Sequence, residues 1–302
     1  MKQAQRSRAT LKLRCSIALL AGTALLLGAC ANTTAPASSS VAALSNERIA
    51  EILASPDRRA ADRTNDIRRK PYDMLIFIGP RPGMVALDLS AGGGYTTELI
   101  ARSVGPTGRV YGQSRPRDPN HPAPAPAAPE GAAAPAAATP QAPAPAGAPR
   151  PAGPPNSPLA LAERARNPAA SNIVPVVRRF EDPVPPEVAS NGLDLVTLMF
   201  NYHDLGYLGI DRAQMNRAVF AALKPGGMYV IADHSGRTGT GISESGTLHR
   251  IEEAFLRKEV EAAGFRLADE GNFLRNPGDP RDKNTPNPPQ PKDEFVLKFV
   301  KP

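Results

Sequence analysis

Met84-Val85-Ala86-Leu87-Asp88-Leu89-Ser90-Ala91-Gly92-Gly93-Gly94-Tyr95 is the stretch that decides how this chain is read. It opens as a short apolar run ending on an acid, the pattern of a buried strand. Ser90 to Gly94 is a glycine turn, and Tyr95 to Val104 (YTTELIARSV) reads as a helix stopped by Gly105 and Pro106. Glycine lets a backbone approach a ligand closely, and the following helix offers unpaired N–H groups and the positive end of its dipole. A lone glycine turn is weak evidence, because tight turns use the same residues.

Outward from that unit the alternation continues. Arg109 to Gly112, Ile173 to Val177, Leu193 to Phe200 and Met228 to Ala232 read as strands. Asp211 to Leu223 carries Met215, Val219, Phe220 and Leu223 at helical spacing. Thr247 to Ala263 reads as one helix capped by Gly264, and Phe265–Leu267 with Glu294–Val300 as a closing strand pair. A Pro-rich loop joins that pair, which favours a long hairpin over a crossover. Upstream, Ser45 is a plausible N-cap for helices that Pro56 and Pro71 divide before Ile78. The charged stretch Asp57 to Lys70 is expected to be a solvated helical face. Strands alternating with helices give an α/β fold: a doubly wound, mostly parallel, seven-stranded Rossmann-like sheet with a C-terminal antiparallel hairpin.

Composition places the remaining chain. Of 302 residues 34 are proline, and residues 114–160 hold 15 Pro and 16 Ala. Such a segment cannot bury enough apolar surface to order itself, so it is expected to be a disordered insertion within residues 45–302. The formal charge of +7 is uneven: five basic residues and no acid fall in the first 29, leaving 31 basic against 29 acidic. No nucleic-acid partner is expected from so balanced a remainder.

Residues 1–29 combine a basic start with the 14-residue apolar run SIALLAGTALLLGA, too short for a stable membrane span and suited to a signal peptide. The run ends Leu27-Gly28-Ala29-Cys30, which resembles the bacterial lipobox, where the cysteine is acylated and becomes the mature N-terminus. The alternative is an ordinary signal cleaved at Ala29, with Cys30 incidental. Residues 30–44 read as a flexible tether. Ala31 in place of an aspartate favours the periplasmic face of the outer membrane, if the cell is Gram-negative, with membrane contact through the lipid alone.

The ordered series then carries a family resemblance. Pro82-Gly83-Met84 with Asp88–Tyr95, Asn201–Asp204, Asp233-His234, Thr247–Arg250, Asn276-Pro277 and Phe295–Phe299 together resemble the class I S-adenosylmethionine-dependent methyltransferases, within them a group of secreted bacterial predicted methyltransferases. The resemblance spans residues 57–302 apart from the insertion. It implies that Asp88, Ser90, Ala91, Gly92, Gly93, Gly94 and Tyr95 meet the methionine and ribose part of S-adenosylmethionine, with Asn201 beside them. It also implies an acid at the end of the second strand for the ribose; Gln113 stands there, able to accept one bond. Glu181 or Asp182 would serve near the adenine, with Arg179 at one aligned position.

Methyl transfer to a hydroxyl needs an aligned acceptor and a base. The His203-Asp204 pair follows the fourth strand and resembles the pair of small-molecule O-methyltransferases in which the histidine is the base; a histidine satisfied by a backbone carbonyl is the alternative. Asp233, His234 and His249 are further pocket candidates. These groups could converge as a divalent-metal site or as a hydrogen-bond network. No two share a short ligand motif, so no metal is expected. The function expected is a methyltransferase-like lipoprotein acting on a small-molecule or envelope acceptor. A non-catalytic envelope lipoprotein that binds another ligand or partner is the alternative.

Overall fold

The computed structural model describes residues 43–116, 157–284 and 290–302. The signal segment, Cys30, nearly all of the tether, His121 and most of the Pro/Ala segment lie outside the described residues.

Three helices come first: α1 (Asn46–Ala54), α2 (Ala60–Arg69) and α3 (Pro71–Ile78). The Ser45 hydroxyl caps α1 by accepting from the Arg48 N–H, and Pro71 opens α3, where no backbone donor is needed. The alternating core follows as β1 (Val85–Leu89), α4 (Tyr95–Val104), β2 (Arg109–Ser114), α5 (Ser157–Arg164), β3 (Ile173–Val177), β4 (Leu193–Met199), α6 (Asp204–Tyr207), α7 (Arg212–Ala222) and β5 (Leu223–His234). The chain closes with α8 (Ser245–Leu248), α9 (Glu253–Glu261), β6 (Arg266–Gly271) and β7 (Glu294–Val300).

The seven strands form one sheet in the order β3-β2-β1-β4-β5-β7-β6. All pairs are parallel except β5–β7 and β6–β7. The expected α/β sheet and its terminal hairpin are therefore present. Parallel strands covered on both faces are apolar throughout, and Ala86, Leu87 and Leu89 of β1 are all buried. Leu87 and Leu89 join one core layer while Ala86 joins the other, the period-two split of a strand. Chain order reverses between β1 and β4, so the carboxyl ends of these strands bound the crevice where such sheets bind ligands.

Three expectations change. The charged stretch Asp57 to Lys70 is a solvated face only in part. Arg58 and Asp62 are buried; Arg58 holds Asp66 through two 2.8 Å bonds, and Arg164 of α5 holds Asp62 at 2.7 and 2.8 Å. The Pro/Ala insertion is also shorter than its composition suggested. Ser114 still belongs to β2, and Ser157–Ala160 already belongs to α5, because Pro158 sits in the first helical turn and Ala160 and Leu161 are buried. The helix expected over Thr247–Ala263 is two helices. Between them the Ile251 N–H donates to the His234 carbonyl and the Gly236 N–H to the Ile251 carbonyl, so the backbone pairs with the end of β5.

Candidate functional site

The first half of the site is the turn after β1. Register places Asp88 directly opposite Thr197 of β4, and α4 brings Thr97 over it. Asp88 accepts 2.7 and 2.6 Å hydrogen bonds from these two hydroxyls and is 2% exposed. Burial pushes its pKa up to about 6, against the lowering effect of the two threonine bonds. Asp88, expected to meet a cofactor, has both oxygens hydrogen-bonded inside the protein, where they fix the turn. Gln113, expected near the ribose, is held in the same way. It is fully buried, its Oε1 accepts from the Ser90 N–H at 2.9 Å and its Nε2 donates to the Arg178 carbonyl at 2.7 Å. An amide can bridge a donor and an acceptor where a carboxylate cannot, so this glutamine pins the turn to the end of β3.

What the turn presents outward is backbone. Gly92 and Gly93 are exposed, and a Cβ on Gly93 would meet nothing within 4 Å. Ser90, Gly92 and Gly94 have φ values of 54°, 54° and 79°, so the turn runs through the left-handed region that glycine adopts without strain. Behind it, Ala91 is buried, and Arg164 donates to the Gly93 carbonyl at 2.5 Å while also pairing with Glu98. Ser157 donates to the Gly92 carbonyl at 2.6 Å and accepts from Ser114 at 2.7 Å. Tyr95 donates to Asp66 at 2.7 Å and lines a small apolar recess with Met199, Phe200 and Leu99. Past β3, Glu181 pairs with Arg179 and Asp182 with Arg178.

The second half gathers at the carboxyl ends of β4 and β5. Ser90 donates to Asn201 at 2.6 Å, and Asn201 donates to Asp204 at 2.8 Å. The other Asp204 oxygen lies 3.1 Å from His203 Nε2 and 2.9 Å from His249 Nδ1. His203 Nδ1 lies 2.6 Å from Asp233, which also accepts the backbone N–H groups of His203 and His234 at 2.7 and 2.8 Å. His234 Nδ1 lies 2.9 Å from Glu294, and Arg68 donates to the same Glu294 oxygen at 2.5 Å. Glu294 reaches this edge because β7 runs antiparallel and pairs it with His234.

Burial opposes charge on His203, but the adjacent Asp233 carboxylate and the bonds to Asp204 and Asp233 outweigh it and push the ring up to about 10. At neutral pH His203 is therefore a cation between two carboxylates. Burial would raise Asp233 and Asp204, yet His203 holds both below the usual carboxylate range.

The structure thus joins Ser90, Asn201, His203, Asp204, Asp233 and His249 into one connected edge, with His234 beside them. His203, Asp204 and His249 each offer a ligand atom within 4.8 Å of the others. Sequence spacing gave no sign of this, since His203 and His249 stand 46 positions apart. Glu294 and Thr197 are brought in by strand pairing and Thr97 by the packing of α4, which sequence spacing does not record.

Comparison places this fold among known ones. No protein family and no curated protein matches the chain. Among solved structures it is similar to a SAM-dependent methyltransferase from Aquifex aeolicus, at 14% identity over 86% of this chain and 100% of that one, with a TM-score of 0.51. It is also similar to the putative methyltransferase solved with the Haloferax volcanii Trm112 activator, at 15% identity over 86% and 99% of the chains, with a TM-score of 0.46. The fold is the Rossmann-like fold of the class I S-adenosylmethionine-dependent methyltransferases, by the first of these likenesses and the strand order.

Proposed function

We propose that this protein is an S-adenosylmethionine-dependent methyltransferase that transfers a methyl group to a small-molecule or envelope acceptor at the His203–Asp204–His249 edge. One observation carries the reading. The Ser90–Asn201–Asp204 hydrogen bonds couple the exposed glycine turn directly to the histidine cluster across the topological switch point.

S-adenosylmethionine, when bound, supplies an electrophilic methyl group on its sulfonium. Gly92, Gly93 and the first turn of α4 fit its amino-acid end, because they offer an open backbone and a helix N-terminus. The β2 end fits its ribose poorly, since both ends of the Gln113 amide are committed. On the acceptor side Asp233 fixes His203 Nδ1 as a donor, leaving Nε2 as the atom that would take a proton. To act as base the ring must first lose the proton it carries at neutral pH.

The same reading includes export and lipidation on Cys30, with the folded part tethered at the periplasmic face of the outer membrane. Among the described residues no helix is long and apolar enough to cross a membrane. Calorimetry on the full chain with S-adenosylmethionine and S-adenosylhomocysteine tests the cofactor; no heat at millimolar concentration of either would end the proposal. The closed Gln113 contact favours a second reading, a non-catalytic envelope lipoprotein that binds another ligand at this edge. Methyl transfer that His203→Ala abolishes, with an unchanged circular dichroism spectrum, would decide against it.

A further inference from the structure

We infer that His203, Asp204 and His249 form a binding site for a divalent transition-metal cation of the zinc class. Their ligand atoms lie within 4.8 Å of one another, and His203 and Asp204 are each aimed by a separate partner. His203 Nδ1 is held 2.6 Å from Asp233, which is fully buried and also fixed by two backbone N–H groups. That leaves Nε2, 3.1 Å from Asp204, as the atom that would bind a cation once the cation displaces its proton. One Asp204 oxygen accepts from Asn201, which turns the other toward both imidazoles at 3.1 and 2.9 Å. The His203 and His249 rings meet edge-on, with centroids 5.6 Å apart, so they converge rather than stack.

The donor set selects the ion. Two imidazole nitrogens and one carboxylate oxygen suit zinc, cobalt, nickel or ferrous iron, whereas magnesium and calcium favour oxygen ligands. The carboxylate behind His203 and the amide behind Asp204 are the outer-shell supports that metal-binding groups use. Three protein ligands leave at least one position open, and it faces solvent, because the Asp204 and His249 side chains are 24% and 39% exposed while that of His203 is 3%. An open position is what separates a reactive zinc-type site from a closed structural one. A hydroxyl-bearing ligand placed there would be polarised by the cation. The inference stands apart from the methyltransferase reading, since it needs neither S-adenosylmethionine nor turnover.

Titration of the chelator-stripped full chain with Zn²⁺ by calorimetry, and with Co²⁺ by visible absorption, tests the site. One equivalent of Zn²⁺ is expected to bind, with Co²⁺ giving d–d bands and Mg²⁺ unable to compete. His249→Ala, at a half-exposed position that should not disturb folding, is expected to weaken Zn²⁺ binding at least 100-fold. Asp233→Asn should weaken it about 10- to 100-fold, as loss of outer-shell partners does. His121→Ala should change nothing. No stoichiometric binding up to millimolar Zn²⁺ overturns the inference and leaves a cation-free hydrogen-bond network. Equal binding by wild type and His249→Ala overturns it too, by placing the ion elsewhere.

Discussion

Replacing Asp88 by asparagine should make the protein more stable at neutral pH and remove part of its pH dependence. Asp88 is buried between Thr97 and Thr197, and its pKa is raised from 3.8 to about 6. The sign follows from proton linkage. Below the unfolded pKa both states hold the proton. Between 3.8 and about 6 the folded state keeps a proton that the unfolded state has released, so stability falls as pH rises. Above about 6 the folded protein carries a buried charge, and the accumulated loss is about 3 kcal/mol. Asparagine stays neutral throughout, and a threonine hydroxyl can turn to accept from its amide. Asp57, Asp204 and Asp233, all held low, impose the opposite slope, but they do so in both proteins and cancel in the difference. Urea unfolding of wild type and Asp88→Asn across the acid-to-neutral range reads that difference directly. It should grow toward neutral pH by about 3 kcal/mol. Parallel curves would refute the buried charge, and a difference of opposite sign would mean that the threonine bonds outweigh burial.

Removing Arg164 should strip the buried carboxylate Asp62 of its partner, leave Glu98 to Arg102 alone and free the Gly93 carbonyl. Arg164→Ala should therefore lose about 3–5 kcal/mol in denaturant unfolding, and Arg164→Lys distinctly less. Gln113→Glu restores a carboxylate at the expected ribose position, yet it should not tighten S-adenosylmethionine binding in calorimetry. It removes the donor to the Arg178 carbonyl and should lose about 1–3 kcal/mol of stability. Cys30→Ser should abolish incorporation of labelled fatty acid and move the protein from the membrane fraction to the soluble one.

The sheet was legible because its signals are local. β1, α4 and β3 each announce themselves by apolar runs, a glycine stop or β-branched residues, and the hairpin β6–β7 by the Pro-rich loop between its strands. Reading failed where tertiary contacts override local pattern. Arg58 and Asp62 look like surface charge until Asp66 and Arg164 are seen to cover them. Ser157–Ala160 was absorbed into the Pro/Ala composition, although Pro158 falls where a helix accepts proline. The break after Leu248 is made by backbone pairing with β5, which no helical pattern records.

The site divides along the same line. His203, Asp204, Asp233 and His234 were visible as polar residues just beyond strands, and position alone sent them to the ligand edge. The roles of Asp88 and Gln113 depend on which atoms face them, and register decides that. Asp88 meets Thr197 because β1 and β4 pair in parallel with those residues opposite, and Gln113 meets Ser90 because β2 flanks β1. Both side chains shape the turn, so at Gly92 and Gly93 this half of the edge offers main-chain groups. The histidine half is the reverse: its main chain is bound up with Asp233 and with the β5 pairing, while the His203, Asp204 and His249 side chains converge. Substitutions at the turn should therefore act mainly through backbone conformation and stability. Substitutions at the histidine edge should change binding and chemistry while the sheet stays intact.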